Sequence, residues 1–265
     1  LLIEPAIKLA FREQKFLTQK LQAINFDGSQ NRLLYGYRVD LTKSSKNKRF
    51  NDYFYIESRL PNDDEHILLS TRAGRSSIST KQLQKLNIYK GKLYPRERSS
   101  VTNANFTVDD NGAPIAQTGL STEDEYILKY KNKQNKWQEF PDADNYSLLS
   151  NAFGPNIYLS KMLSENNEET IIQFNRFDQT MKSLAVLKGN EITDWSKDTK
   201  GRMVAYRTDD ALPERHFLDP NSEKAKFHQQ LKQAFKGKFA RVVTSSRDYT
   251  RRIIAVSGDE EPGIY

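Results

Sequence analysis

The chain has 265 residues, enough for one or two substantial cores, with 37% hydrophobic and 28% charged residues and a net charge of +7. It has no cysteine, which excludes disulfides, thiol nucleophiles and cysteine-based zinc sites and leaves the redox compartment open. No apolar run reaches the roughly 18–20 residues of a membrane-spanning helix. The opening LLIEPAIKLAFREQKF, interrupted by Glu4, Pro5 and Lys8, does not have the form of a secretory signal. The first residue is not Met, which predicts a processed or trimmed polypeptide. The 41 basic residues are spread among 34 acidic ones, and the one dense basic run, Thr42 to Phe50, reads as a solvated loop. Neither a nucleic acid nor a membrane is therefore expected as a partner.

In chain order, a short phrase recurs: a polar turn with Asp or Gly, then a run of β-forming residues. It reads FDGSQNRLLYGY from Phe26, PNDDEHILLST from Pro61 and VDDNGAPIAQTG from Val108, and returns as FGPNIYLS from Phe153, SKDTKGRMVAYRT from Ser196 and SSRDYTRRIIAVSG from Ser245. With Leu33, Ile67, Ile115, Ile157, Met203 and Ile253 as equivalent points, the steps are 34, 48, 42, 46 and 50 residues. That spacing suits one four-stranded propeller blade per recurrence. The 13 Tyr and 14 Phe suit pleated, half-buried surfaces. An immunoglobulin-like sandwich or a jelly roll would show similar short strands and regular turns, so the period alone leaves these open.

Between the phrases lie further hairpins. Leu83 to Tyr94 alternates apolar and polar residues and turns at Lys90-Gly91; Glu125 to Phe140 gives two strands around a polar turn at Asn132 to Asn135; Glu169 to Gly189 repeats the design around Phe177 to Thr180. One stretch differs. Asp219 to Phe239 opens with Asp-Pro-Asn-Ser, places apolar residues at Ala225, Phe227, Leu231, Ala234 and Phe235, and stops at Gly237. This predicts one amphipathic helix of about 14 residues near 222–236 that covers a blade edge, with docking of a partner as its sharper alternative. The expectation is a single all-β domain over 1–265, a propeller of about five to six blades, incomplete or open. Its unmatched ends would leave strand edges to be covered by self-association.

Chemistry is sparse. G-x-S-x-G, a P-loop and H-E-x-x-H are all absent. His66, His216 and His228 stand in unrelated contexts, and nothing pairs any of them with a Ser and an Asp; each reads as a surface or packing residue. Of the adjacent carboxylates, Asp63/Asp64 and Asp109/Asp110 fall in the recurring turns, where Asp accepts backbone N–H groups. Asp209/Asp210 lies in a longer loop of mixed charge and also reads as solvated, and Glu260/Glu261 follows the last phrase. No catalytic, cofactor-binding or metal-binding residue is predicted.

Several segments taken together resemble a known family. IESRLPNDDEHILLSTR, LQKLNIYKGKL, NFTVDDNGAPIAQTG and YILKYKNKQNKWQEF, followed by YRTDDALPERHFLDP, EKAKFHQQLKQAFKGK and VVTSSRDYTRRIIAVSGDEEPGIY, resemble successive propeller strands of bacterial prolyl oligopeptidase-family serine peptidases, over about Leu21 to Tyr265. The resemblance implies an N-terminal propeller that sits over an α/β-hydrolase domain of the same parent polypeptide. That domain would hold the Ser–Asp–His triad, and no position of this chain matches a triad or oxyanion-hole residue. The propeller would gate access of short peptides and have no activity of its own. Exported relatives favour a periplasmic or exported location. A free-standing propeller used as a protein-interaction scaffold is the alternative, although the WD dipeptide is absent and Trp195 follows Asp194 in reversed order.

Overall fold

Each recurrence of the phrase is a β-hairpin. The computed structural model describes residues 2–3, 6–8, 15–17, 20–36, 53–72, 80–163, 168–189, 191–198, 202–209, 213–246, 250–258 and 261–264. The basic run Thr42 to Phe50, together with Asp210 and Glu260, lies outside them. The strands in chain order are β1 (Leu2–Ile3), β2 (Ala6–Lys8), β3 (Lys15–Leu17), β4 (Leu21–Ala23), β5 (Arg32–Tyr35), β6 (Tyr53–Ser58), β7 (His66–Arg72), β8 (Thr80–Asn87) and β9 (Leu93–Val108). There follow β10 (Pro114–Leu120), β11 (Tyr126–Lys131), β12 (Trp137–Glu139), β13 (Tyr146–Phe153), β14 (Asn156–Leu163), β15 (Glu168–Asn175) and β16 (Thr180–Lys188). The chain ends with β17 (Ile192–Lys197), β18 (Met203–Asp209), β19 (Pro213–Phe217), the helix α1 (Glu223–Ala234), β20 (Phe239–Ser245), β21 (Arg252–Gly258) and β22 (Glu261–Ile264).

These strands form antiparallel sheets in the orders β1-β4-β5, β2-β3, β12-β11-β10-β9-β8-β7-β6, β13-β14-β15-β16, β17-β18-β19 and β20-β21-β22, none closed on itself. The six equivalent points fall on β5, β7, β10, β14, β18 and β21, each the second strand of its hairpin. Ile67, Ile115, Ile157 and Met203 are buried there, Leu33 is half-buried, and Ile253 is exposed.

Four hairpin turns share one bonding pattern. At 25–29, 109–113, 121–125 and 132–136 the first N–H donates to the fifth carbonyl, and the fourth N–H donates to the first carbonyl. The fourth residue is left-handed in each: Gly28 at φ 83°, Gly112 at 79°, Asp124 at 61° and Asn135 at 59°. This is a type I turn closed by a bulge, whose twist matches that of the flanking strands. In three of the turns the first side chain, Asp109, Ser121 or Asn132, also accepts the N–H groups two and four residues on. Short polar residues recur at these points because they satisfy the turn backbone without help from the rest of the chain.

The chain separates into two compact units, one of 1–191 with 197–202 and one of 192–196 with 203–265. In the first unit, β9 carries the chain from one meander to the next. Its first half pairs with β8, with Leu93 opposite Leu86, and its second half with β10, with Asn105 opposite Thr118. Thr102 is the pivot, facing Thr80 on one side and Leu120 on the other. Ser99 fixes the corner: its Oγ accepts the Lys81 N–H at 3.1 Å and donates to the Val101 carbonyl at 2.8 Å. Gly119 lets β10 approach, since a Cβ there would lie 2.5 Å from the Thr102 carbonyl oxygen.

The alternation of side chains on β7 shows what this corner achieves. Ile67 and Leu69 join Leu86, Phe54, Leu21, Leu34 and Tyr35 in one core shared with β4 and β5. Leu68, on the opposite face, packs with Leu83, Leu60 and Phe106, the last from the second half of β9. Beyond it, Ile115, Ala116, Leu128, Tyr130 and Phe140 pack on Ile157, Leu159, Ile172 and Phe174 of the sheet β13–β16. Tyr130, Phe140 and Phe174 meet edge to face, with centroids 5.0–6.2 Å apart. Within this unit successive meanders thus stack face to face in chain order, with β7 and β10 buried on both sides. Each fully buried Leu or Ile contributes about 1.5–3 kcal/mol to that stack.

In the second unit, α1 begins at Ser222, whose Oγ accepts the Ala225 N–H at 3.3 Å. It has 12 residues, and Gly237 lies just beyond it at φ 74°. Leu231, with the half-buried Phe227 and Phe235, packs on Ala240, Val256 and Ile254 of β20 and β21. The helix therefore covers a sheet face here, where the sequence pattern suggested an edge: Ala240 and Val256 are directly paired, so both present side chains to the same side.

Candidate functional site

A cluster of titratable side chains surrounds the turn between β6 and β7. Asp63 accepts the Glu65 N–H at 3.0 Å, as the turn reading expects, and its carboxylate also meets Lys85 Nζ and, at 2.9 Å, His66 Nδ1. Lys85 and then His66 hold the Asp63 carboxyl well below the ordinary carboxylate range. Asn87 fixes the state of the imidazole. Its Oδ1 accepts the N–H groups of Tyr89 and Lys90, so its amide nitrogen must face Glu65 Oε2 and His66 Nε2, both at 3.2 Å. Nε2 is then an acceptor, and Nδ1 carries the proton that is donated to Asp63. The imidazole is held from both sides, and the nitrogen that a general base would use is already occupied. Tyr94 stands edge-on to the ring at 6.0 Å, and a surface cavity of about 490 Å³ opens beside it, lined by Lys85, Tyr94, Pro95 and Arg96.

The other two histidines stand apart from this cluster in the sequence order of elements. His216, on β19, stacks on Tyr206 at 5.0 Å with its Nε2 3.1 Å from Thr208 Oγ1. His228, on α1, lies against Phe217, and its Nε2 is buried without a hydrogen-bond partner. Burial, then Arg215 and Lys232, push its pKa down, against a smaller upward pull from Glu214. Asp109 accepts Asn111 and Ala113 N–H groups at 2.9 and 2.8 Å, so this carboxylate too serves its turn. Asp209 ends β18 and Glu261 begins β22. Among the described residues no group of three His, Asp or Glu could hold a metal ion.

Two long-range polar links escape sequence reasoning altogether. Glu97, in the first half of β9, pairs with Lys131 at 2.8 Å and accepts Trp137 Nε1 at 3.4 Å, while the Lys131 ammonium lies 5.0 Å over the Trp137 ring. Arg176, in the turn after β15, donates to the Lys131 carbonyl at 2.6 Å and to that of Gly154 at 3.4 Å. Both links tie successive meanders together, and nothing in the spacing of their residues marks them. As for likeness to other proteins, no known family model matches this chain, and no curated protein matches it.

Proposed function

We propose that this chain is a β-propeller, open or incomplete, that serves as the non-catalytic part of a prolyl oligopeptidase-family serine peptidase. Its sheets would act as blades, and the ring would wall off a hydrolase domain of the same parent polypeptide, admitting short peptides and excluding folded ones. The observation that carries this reading is the corner at Thr102, which passes the chain from one four-stranded meander to the next so that the two stack face to face in chain order. Sandwiches and jelly rolls pack two sheets, each covered on one face. Sheets buried on both faces by the preceding and following units suit radial repetition instead. The occupied imidazole of His66 agrees with a chain whose reactive groups lie elsewhere.

An antibody to this chain, used on extracts of the source organism together with a fluorophosphonate probe, tests the proposal. The expected result is a polypeptide much longer than 265 residues that takes the probe, while the isolated chain does not. Labelling of the isolated chain, or a native polypeptide of this length that never labels, overturns it.

A further inference from the structure

The second unit carries two arginines directly opposite each other. Arg207 of β18 pairs with Arg215 of β19, so both side chains stand on one face of the sheet β17-β18-β19. Ala205 and Phe217, two residues along, share that face, and Phe217 lies against His228 of α1. The arginine pair therefore stands at the margin where the sheet meets the helix. Arg207 is held by Thr193 of β17, whose Oγ1 accepts the Arg207 Nε–H at 3.2 Å and donates to the Arg207 carbonyl at 3.3 Å. Arg215 is held more loosely. Among the described residues its guanidinium faces one carboxylate, Asp194, at 3.7 Å, which is beyond hydrogen-bond range. Arg241, on β20, is exposed and has no hydrogen bond or ion pair among the described residues.

Like charges directly opposite one another destabilise a strand pair. The cost falls on Arg215: burial pulls its pKa down, Asp194 opposes this, and Arg207 and then Arg241 add to it. Guanidiniums from β18, β19 and β20 thus crowd one place, and an anion between Arg215 and Arg241 would offset their repulsion. The place is open to solvent. The Arg215 side chain is 29% exposed and that of Asp194 48%, and the bonds between Thr193 and Arg207 lie at the surface. The arrangement also selects the class of anion. One guanidinium fork matches the two coplanar oxygens of a carboxylate. Two forks carried by separate sheets, β17-β18-β19 and β20-β21-β22, call for oxygens in more than one plane, as a tetrahedral phosphate presents them.

We propose that Arg215 and Arg241 form a binding site for a phosphate-type oxyanion, with Arg207 adding to its positive field and Asp194 competing for Arg215. The site does not depend on the gating function proposed above. Titration of the full chain at fixed ionic strength with inorganic phosphate, phenyl phosphate and acetate, followed by amide NMR shifts, tests it. Phosphate should saturate in the millimolar range with shifts confined to residues around β17, β19 and the start of β20, and acetate should bind about tenfold more weakly. Tighter binding of phenyl phosphate than of inorganic phosphate assigns the site to a phosphorylated ligand, and the reverse assigns it to the free ion. Arg241→Gln, at an exposed position, should weaken phosphate about fivefold to tenfold. Arg215→Lys keeps the charge but loses the planar fork, and should weaken it about as much. Asp194→Asn should tighten it several-fold. Glu123→Gln, the same change of net charge at an exposed turn of the first unit, should leave it unchanged. Equal binding of acetate and phosphate, shifts scattered over the surface, or no binding at millimolar phosphate overturns the proposal. So do affinities that neither arginine variant moves, or an Asp194→Asn effect no larger than that of Glu123→Gln.

Discussion

Replacing Gly119 by Ala places a methyl group where β10 meets the corner of β9. The new Cβ would stand 2.5 Å from the Thr102 carbonyl oxygen and 2.6 Å from Val101 Cγ2. An unstrained contact needs close to an ångström more, and a backbone carbonyl cannot swing aside as a flexible side chain can. Overpacking of this kind costs about 1–3 kcal/mol, and the backbone position of the obstacle puts the expected cost at about 2–3 kcal/mol. In a domain of this size each kcal/mol lowers Tm by about 2–4 °C, so the midpoint should fall by roughly 4–12 °C. Gly154→Ala is the control. A Cβ there meets nothing within 4 Å, but Gly154 has φ 56°, and left-handed backbone alone costs an alanine about 1–2 kcal/mol. Thermal melts followed by circular dichroism compare the two. If Gly119→Ala melts as high as the wild type, or above Gly154→Ala, β10 does not approach Thr102 this closely and the corner is wrongly placed.

Four further substitutions probe the titratable groups. Lys131→Met leaves Glu97, 26% exposed, without its ion pair, and should destabilise by about 1–3 kcal/mol; adding Glu97→Leu should recover part of this in urea unfolding, and strict additivity would refute the pair. The folded-state pKa of Asp63 is depressed, so its stabilisation is complete above the unfolded value near ~4 and fades as pH falls below it. Asp63→Asn should therefore flatten the acid limb of the stability curve below pH ~4 and lower stability at neutral pH, and an unchanged limb would contradict the cluster geometry. The His228 pKa is also depressed in the fold, so the second unit should lose stability as pH falls below about 6.5, by at most about 1.4 kcal/mol per pH unit. His228→Leu should abolish that slope; a slope that survives assigns it to another group.

The turns were legible in the sequence because their chemistry is local. Asp109 and Asn132 satisfy backbone groups within four residues, so the recurring phrase located one hairpin of each meander and the turns at Lys90-Gly91 and Asn132 to Asn135 fall where the strands reverse; the turn at Ser121 lies outside the phrase. The helix was legible from Ser222 to Gly237 for the same reason. Its seat on a sheet face was not, because that depends on Ala240 and Val256, which lie outside its own pattern. Nor was β9, a single strand of 16 residues interrupted in sequence by Pro95, Ser99, Ser100 and Asn103. Its course follows from changing partners at Thr102, a tertiary event that overrides local preference. The Glu97–Lys131–Trp137 link and the Asp63–His66–Asn87 cluster join residues from separate strands and turns, and only the register brings them together. His66 braces its turn, its Nδ1 bonded to Asp63 and its Nε2 to Asn87, a pairing set by the strand register and not by sequence spacing.

The absence of cysteine allows spin labels to be placed without background. Pulsed electron–electron distances between labels at the exposed positions Asn62, Asn111 and Lys182 address the stacking of the meanders most directly. Sheets packed face to face lie about 10 Å apart. The account predicts that the Asn62–Asn111 and Asn111–Lys182 distances are both shorter than the Asn62–Lys182 distance. An Asn62–Lys182 distance shorter than either of the others would contradict it, because the sheets would then not follow one another in chain order.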